Sequence, residues 1–414
     1  MNQKPVAIVG GGLSGIACAR VLHEKNIPFV LFEKSSILGG RVQSENVQGY
    51  VLDKGFQVLL TSYEKTMSLL DLSSIQLKAF DPGAIIRSRD HFHEISDPFR
   101  DPWGGLRTLF SSVGSLGDKL LTLKQRIELQ EKKDHEIFNE EEYNSHEYFR
   151  RRGFSASIVE EFYEPFFRGV FLDQDLSTSS RYLRYLLKKF SLGKACIPKL
   201  GMSQIPLNMA KPLPSESIRL NTSVSHIEGQ NLFLEGGEHF EFSHLVLAIE
   251  FDAIGKIIPS IDLSIRWNGT ECFYFEAPRA PRSEKKIFLN AEYVRSFDLL
   301  AIPSNIHPSQ AKEEKALVSV SRIQGSSSRD EKEIKDELQT WFGDEVDQWK
   351  LIHSYSISKA LPQIDHLKPP ESRVLPEHPF AFICGDYTRH PSIEGAVESG
   401  YDAATWVIEQ QKKI

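Results

Sequence analysis

The chain has 414 residues, of which 40% are hydrophobic and 25% charged, and this composition excludes a disordered tail protein, a collagen-like repeat and a small disulfide scaffold. Its net charge of −7 argues against a protein that binds nucleic acid with its whole surface. The four cysteines lie far apart and form no CxxC pair, so we expect a reducing, cytoplasmic compartment. No run of about 18 apolar residues occurs, so we expect no membrane-spanning segment.

The N-terminal region predicts a β-α-β unit. Val6–Val9 is a short apolar run typical of a buried parallel strand, and Phe29–Phe32 is a second one. Between them, glycines with the spacing Gly10-x-Gly12-x-x-Gly15 turn the chain into a helix. Because this spacing follows a strand, opens a helix and is followed by a second strand that ends in an acid, it predicts a dinucleotide site.

Each residue of this motif has a physical task. Gly10 permits the tight turn, Gly12 lets the backbone approach a pyrophosphate, and Gly15 allows close packing of helix and strand. Ser14 lies in the same turn, where free helical N–H groups and a partial positive charge attract a diphosphate. Glu33 is placed to accept hydrogen bonds from ribose hydroxyls. Its negative charge also disfavours a 2′-phosphate, and therefore NADP.

The rest of the chain changes pattern twice. Longer amphipathic helices are predicted first, then strands, and the end of the chain returns to a buried strand followed by a helix. No internal repeat is evident. The predicted helices are Lys119–Lys133, Ser155–Phe167, Ser179–Phe190, Asp330–Trp341 and Glu394–Gln410, and the predicted strands are Ser217–Ser225, Asn231–Glu235, Leu245–Ile249, Glu271–Phe275, Lys286–Asn290, Leu317–Ser321 and Ala381–Cys384.

Three further motifs decide which dinucleotide is expected. Leu38-Gly39-Gly40-Arg41 follows the acid, and Tyr50–Gln57 contains the pattern Asp-x-Gly-x-x. Near the C-terminus, Ile383–Thr388 is followed by Ser392–Gly400. Together with the glycine turn, these motifs resemble, in content and order, the flavin-containing amine oxidase superfamily.

The resemblance implies non-covalent FAD as cofactor. Arg41 would lie near the diphosphate, and Asp386 would bind the ribityl–phosphate arm. The N–H groups of Gly395, Ala396 and Val397 would face the pyrimidine edge of the flavin. The complete set of expected cofactor-binding residues is Gly10, Gly12, Ser14, Gly15, Glu33, Gly40, Arg41, Gly55, Phe56, Gln57, Val224, Gly385, Asp386, Gly395, Ala396 and Val397.

The C-terminal motifs look more like those of phytoene and carotene desaturases than those of amine oxidases. We therefore expect an FAD-dependent oxidoreductase that desaturates an apolar, isoprenoid- or carotenoid-like substrate by hydride transfer to flavin N5, with O2 or a quinone as electron acceptor. Many amine oxidases place a lysine near N5; Lys256, Lys285 and Lys286 are the candidates here, but Lys285-Lys286 is more simply a solvated pair. Tyr387 and Trp406 are candidates for an aromatic cage only by proximity to the motif. No catalytic residue is identified.

Two alternatives remain open. One is an amine oxidase that uses O2. The other, from a different class, is a non-catalytic prenyl-protein-binding module, since the prenyl-GTPase dissociation inhibitors resemble this fold without using flavin. The complete set of FAD motifs argues against that module.

Two other segments have candidate functions. Ser179–Lys199 carries six basic residues and no acid beside an apolar stripe, so it can lie peripherally on an anionic membrane or be an ordinary surface helix with solvated cations. The aromatic run Phe162–Phe167 can line a hydrophobic tunnel or pack in a core. His91 and His93 have no partner ligands in sequence, so we expect no metal site.

The expected fold class is α/β, with a Rossmann-like parallel sheet and a substrate domain of mixed sheet and helices. An FAD-binding domain would combine residues 1–75, 200–250 and 355–414. The substrate domain would combine residues 76–199, which are mainly helical, with residues 251–354.

Overall fold

The fold is known from a computed structural model that describes residues 4–96, 113–259, 265–325, 331–367 and 373–413. A π-helical turn, Val159–Tyr163, lies between two of the helices. The helices within the described ranges are α1 (Leu13–Glu24), α2 (Glu64–Ser68), α3 (Leu72–Ile75), α4 (Leu116–Glu131), α5 (Asp134–Phe138), α6 (Ser145–Arg152), α7 (Ala156–Ile158), α8 (Glu164–Phe171), α9 (Ser180–Leu192), α10 (Gln204–Ala210), α11 (Phe251–Ile257), α12 (Pro303–Ile306), α13 (Glu331–Phe342) and α14 (Ile393–Gln411).

The strands of the same ranges form one largely parallel sheet, one mixed sheet and three small sheets. They are β1 (Val6–Val9), β2 (Phe29–Phe32), β3 (Ser44–Val47), β4 (Tyr50–Asp53), β5 (Leu59–Leu60), β6 (Lys78–Ala79), β7 (Ala84–Ser88), β8 (His91–Ile95), β9 (Ala195–Ile197), β10 (Ile218–Arg219), β11 (Val224–Glu228), β12 (Asn231–Leu234), β13 (His239–Glu241), β14 (Leu245–Leu247), β15 (Trp267–Ala277), β16 (Ile287–Asn290), β17 (Leu299–Ala301), β18 (Ala316–Ile323), β19 (Lys350–Pro362), β20 (Val374–Leu375) and β21 (His378–Ile383).

The largely parallel sheet has the order β10-β2-β1-β14-β21-β20. Its neighbours are parallel except for β20 with β21. The apolar run of β1 is buried from end to end, as a parallel strand covered on both faces requires. The chain leaves β1 toward β2 on one side, whereas β14 lies on the other, so the carboxyl end of β1 is a switch point where ligands bind in open α/β sheets.

The second large sheet is mixed and has the order β19-β15-β18-β17-β16-β7-β8. Its pairs are antiparallel except for β16 with β7. One face packs on the apolar side of α13 through residues such as Phe275, Val318 and Leu338. The helices α4 to α9 form a separate aromatic-rich core that includes Phe149 and Tyr185.

The last helix, α14, packs along the first helix, α1. A Cβ on Gly400 would lie 2.2 Å from the carbonyl oxygen of Ser14, so only glycine permits this approach. The two ends of the chain therefore meet at the start of α1, where the glycine turn lies.

Several predicted elements differ from the structure. Ser217–Ser225 is not one strand: β10 pairs with β2 in the large sheet, while β11 pairs with β12 in a small antiparallel sheet. The helix predicted over Ser155–Phe167 contains the π-helical turn and continues to Phe171. Asp330, the predicted start of another helix, lies outside the described residues. The division into two domains with the boundaries given above stays a prediction.

The basic helix α9 lies inside the protein. Arg184, Lys188 and Lys189 are at most 8% exposed, and acids from neighbouring elements pair with them. Glu140 pairs with Arg184, and Asp134 lies 2.7 Å from Lys188 Nζ and 2.9 Å from Lys189 Nζ. The packing therefore gives no support to membrane contact through these cations, and it also corrects the alternative that they are solvated. Among the described residues, no helix combines the length and apolarity needed to cross a bilayer.

Candidate functional site

One large cavity, of about 1840 Å³, lies where the parallel sheet, the mixed sheet and the helices α4, α8 and α9 meet. Ordinary ligand pockets measure about 300–1,000 Å³, so this cavity has room for a dinucleotide and a second molecule. Most of the residues expected to bind a cofactor line it, although they come from distant parts of the chain. They are Gly10, Gly12, Ser14, Glu33, Gly40, Arg41, Gly55, Phe56, Gln57, Val224, Gly385, Asp386 and Ala396.

Two glycine turns meet at the cavity wall, backbone against backbone. The N–H of Gly39 donates to the carbonyl of Gly11 at 2.8 Å, and a Cβ on Gly40 would lie 3.2 Å from Gly12 Cα. Gly12 caps α1 without a side-chain hydrogen bond to the first turn, which also contains no acid. Bare backbone and a helix N-terminus with free N–H groups suit an anion such as a diphosphate.

Glu33 stands at the end of β2 and is held by three donors. Its Oε2 accepts the N–H of Gly11 at 2.7 Å, and its Oε1 accepts the N–H and hydroxyl of Ser35 at 2.8 and 2.7 Å. A carboxylate has about four acceptor positions, so one remains for a ligand hydroxyl. A Cβ on Gly11 would lie 3.0 Å from Oε2, so this glycine, which sequence reasoning overlooked, lets the acid approach.

Arg41 and Asp386 form an ion pair, Nη2 to Oδ1, at 2.5 Å. The other guanidinium nitrogen, Nη1, donates to the carbonyl of Ala360 at 2.9 Å. Burial works against the charge of Arg41, but the charge and hydrogen bond of Asp386, together with the charge of Glu250, outweigh it and raise the pKa of the guanidinium. Gln57 donates to the carbonyl of Arg41, and its Oε1 is buried without a hydrogen-bond partner among the described residues, which suits a ligand donor.

The N-terminus of α14 differs from the expectation. The N–H of Gly395 donates to Ser392 Oγ, and that of Ala396 donates to the carbonyl of Ser392, both at 3.0 Å. Val397 is fully buried in the core. These N–H groups are thus not directed at a ligand as predicted, because Ser392 caps the helix. Ile393, which was not among the expected cofactor-binding residues, lines the cavity together with Ala396.

Gly15 also lies outside the cavity lining, but the structure supports its predicted packing role. A Cβ at this position would be 2.0 Å from the carbonyl oxygen of Gly10. Such a distance is far inside van der Waals contact, so any side chain here would push α1 away from the turn.

Asp53 ends β4 just before the lining residues of the second motif. Its Oδ1 accepts the hydroxyl of Ser44 at 2.6 Å and the N–H of Met202 at 2.8 Å. Burial raises the pKa of Asp53 to about 6, although both hydrogen bonds favour the charged form.

The other part of the cavity is mostly apolar, and sequence analysis identified only some of it. Phe162, Tyr163, Phe166 and Phe167 of the predicted aromatic run do line it. The contribution of α4 was missed, since its sequence shows an amphipathic helix but not which face meets a cavity. The further apolar lining residues include Leu116, Leu120, Leu123, Leu129, Ile158, Leu187, Phe190, Ile287 and Leu299.

The candidate lysines have different surroundings. Lys286 is 4% exposed and bonds Glu94 and Ser96, so it is not half of a solvated pair. Lys285 is exposed. Lys256 lines the cavity from α11, which packs against β11.

Of the two aromatic candidates, Tyr387 lines the cavity, and its hydroxyl donates to Ile249 and Cys384 carbonyls. Trp406 packs against Phe382 in the core.

One family model matches nearly the whole chain. The sequence profile described as "Flavin containing amine oxidoreductase" matches residues 13–408. Protoporphyrinogen oxidase 2 of Arabidopsis thaliana is 27% identical over 170 residues, which are 41% of this chain and 33% of that protein. The 4,4′-diapolycopen-4-al dehydrogenase of Metabacillus indicus is 36% identical over 76 residues, 18% of this chain and 15% of that protein. The matches thus span a third or less of these relatives.

The fold itself is similar over nearly the whole chain to a solved structure of a putrescine oxidase double mutant. The TM-score is 0.73 at 16% identity, with 98% of this chain and 99% of the other covered. At that identity the likeness concerns the fold alone.

Proposed function

The chain belongs to the flavin containing amine oxidoreductase family, and from that premise we propose that it desaturates an apolar, isoprenoid- or carotenoid-like molecule. It is an oxidoreductase whose cofactor is FAD. The observation that supports the substrate class is the apolar wall of the cavity beyond the glycine turns, formed by leucines and phenylalanines of α4, α8 and α9. A wall of this kind binds apolar surface and excludes water.

The cavity has groups that fit each part of FAD. Glu33 would accept the ribose hydroxyls, and the bare backbone at Gly12 and Gly40 would hold the diphosphate. The ion pair of Arg41 and Asp386 would lie beside the phosphate and ribityl arm. Val224 and Gln57, which also line the cavity, would contact other parts of the FAD molecule.

When bound, FAD supplies a two-electron acceptor for a hydride. The substrate would lose that hydride and one proton from neighbouring carbons, which leaves a new double bond. The protein's own contribution is to orient the substrate and to exclude water, and the aromatic side chains of Phe162 and Phe166 would do both. O2 or a quinone would then take the electrons. Peripheral contact with a membrane, as the source of such a substrate, is part of this proposal, though α9 does not supply it.

One relative is named for a diapocarotenal, which supports this choice, whereas another is named for protoporphyrinogen, a tetrapyrrole. Of the lysines that an amine oxidase could use, Lys286 is engaged by Glu94 and Ser96 and Lys285 is exposed. Lys256 does line the cavity, so the amine oxidase alternative stays open. The family assignment argues against the non-catalytic binding module, because the family consists of oxidoreductases.

The test is an anaerobic absorption spectrum of the FAD-loaded protein, recorded before and after adding phytoene in detergent or putrescine in buffer. We expect bleaching of the flavin band with phytoene and none with putrescine. Bleaching by putrescine alone would make the amine oxidase alternative correct. Readmitting O2, or adding a quinone without O2, then identifies the acceptor by the rate at which the band returns.

A further inference from the structure

The apolar part of the cavity contains a buried amide whose oxygen has no partner among the described residues. Gln125 lines the cavity from the middle of α4 and is only 3% exposed. Its Oε1 has no hydrogen-bond partner within the described part of the chain. Burying an amide without a hydrogen bond opposes folding, whereas leucine would fit the surrounding apolar wall at no such cost. Folding therefore does not explain a glutamine at this position.

Two hydroxyl groups lie on the same side of the helix. Thr122 is three residues before Gln125, so the two side chains are neighbours on the helix surface. Thr122 Oγ1 donates to the carbonyl of Asp118 at 2.9 Å and lies 2.9 Å from the hydroxyl of Tyr163. Because the threonine proton is already used, Tyr163 is the donor of that pair, which leaves its oxygen able to accept. Both residues line the cavity.

We propose that Gln125, with Thr122 and Tyr163, forms a polar subsite that recognises one hydroxyl or carbonyl group on an otherwise apolar substrate. This deepens the proposed function and rests on it. The carboxamide offers both donors and an acceptor, so it can serve either group. A pure hydrocarbon such as phytoene would leave the amide unpaired, so it should bind about tenfold more weakly than an analogue with one polar group and needs a concentration that saturates the site.

Thermal unfolding of the FAD-loaded protein tests whether the amide is structural. The variants are Gln125→Leu and, as matched control, Gln130→Leu on the same helix. Gln130 lies outside the cavity lining and donates to Ser191 Oγ at 3.1 Å. We expect an unchanged or higher Tm for Gln125→Leu and a lower Tm for Gln130→Leu. A fall of about 2 °C or more in Gln125→Leu would show a structural role and overturn the proposal.

Ligand selectivity is the second measurement. The probes are geranylgeraniol and the same hydrocarbon chain without its hydroxyl group, each in mild detergent, with binding followed by perturbation of the flavin absorbance. The wild-type protein should prefer the alcohol by about tenfold. Gln125→Leu should abolish this preference, and Gln130→Leu should retain it.

The outcomes separate this inference from the proposed function. Equal binding of the two probes by wild type, a preference that survives Gln125→Leu, or no perturbation by either probe overturns the subsite. Selective binding through Gln125 without flavin bleaching by any isoprenoid would overturn the desaturase proposal and leave the subsite standing.

Discussion

Arg41 and Asp386 are 345 positions apart in the sequence, yet Nη2 of the arginine lies 2.5 Å from Oδ1 of the aspartate. The aspartate side chain is 5% exposed, whereas the arginine side chain is 33% exposed and also bonds the carbonyl of Ala360. The pair therefore joins three segments of the chain at the wall of the cavity. Each residue was expected to contact FAD, and the structure adds that each also holds the other in place.

Removing Arg41 should destabilise the protein even without cofactor. Arg41→Met leaves a buried carboxylate unpaired, and we expect a loss of about 1.5–3 kcal/mol in the free energy of unfolding, measured in urea. The double variant with Asp386→Asn should lose less than the sum of the two single variants. Arg89→Met, at an 83% exposed side chain paired with Glu161, is the control and should change stability by less than about 0.5 kcal/mol. Strict additivity of the first two substitutions would contradict the ion pair.

Glu33→Gln should weaken FAD binding. The amide nitrogen cannot accept a hydrogen bond. The variant therefore loses the proposed bond to ribose and at least one of the bonds from Gly11 and Ser35. The loss of a charge-assisted hydrogen bond, worth about 1.5–3 kcal/mol, corresponds to roughly 10- to 100-fold in Kd. The Kd is measured by titrating the apoprotein with FAD and monitoring flavin fluorescence. Glu24→Gln, on the 53% exposed side chain at the end of α1, should bind FAD as wild type does.

Asp53→Asn should stabilise the protein in a pH-dependent way. Because the pKa of Asp53 in the folded state is raised to about 6, the folded protein holds this proton more tightly than the unfolded chain does. The stability that Asp53 contributes is therefore fully present below its pKa in the unfolded chain, which is near 4. It is lost as the pH rises through its pKa in the folded protein, about 6. The asparagine oxygen can still accept from Ser44 and Met202.

Urea unfolding at pH 5 and pH 8 measures the difference between this variant and wild type. The variant should gain roughly 1–3 kcal/mol at pH 8 and clearly less at pH 5. A gain that is the same at both values would show that Asp53 has an ordinary pKa.

Gly15→Ala should disrupt the start of α1. The added Cβ would lie 2.0 Å from the carbonyl oxygen of Gly10, and overpacking of this kind costs about 1–3 kcal/mol or more. We expect a lower Tm and poorer retention of FAD. Gly236→Ala, where nothing lies within 4 Å of the added atom, is the matched control and should be neutral. Equal behaviour of the two variants would refute the close approach.

FAD should come off the denatured protein. The four cysteines are buried, and none lies in Pro391–Gly400, where some amine oxidases attach their flavin. After acid precipitation we expect the yellow colour in the supernatant. Flavin that stays with the pellet after washing would show a covalent bond.

Local motifs made part of the site predictable. The turn from Gly10 to Gly15 and the acid at Glu33 belong to one β-α-β unit, so their positions follow from short-range geometry. The N–H groups of Gly395 and Ala396 have a local partner, since Ser392 caps α14 and accepts from both. The strand predicted over Ser217–Ser225 failed because its two halves pair with different partners, which periodicity does not reveal.

The sequence by itself determined the β-α-β unit, the glycine turns and the family resemblance, because each depends on residue types at fixed local spacing. Only the tertiary structure decided that Arg41 pairs with Asp386, that the cations of α9 are buried against Glu140 and Asp134, and that Gln125 faces a cavity with its Oε1 unpaired among the described residues. These are contacts between elements far apart in the chain, and their formation depends on how whole helices and sheets pack.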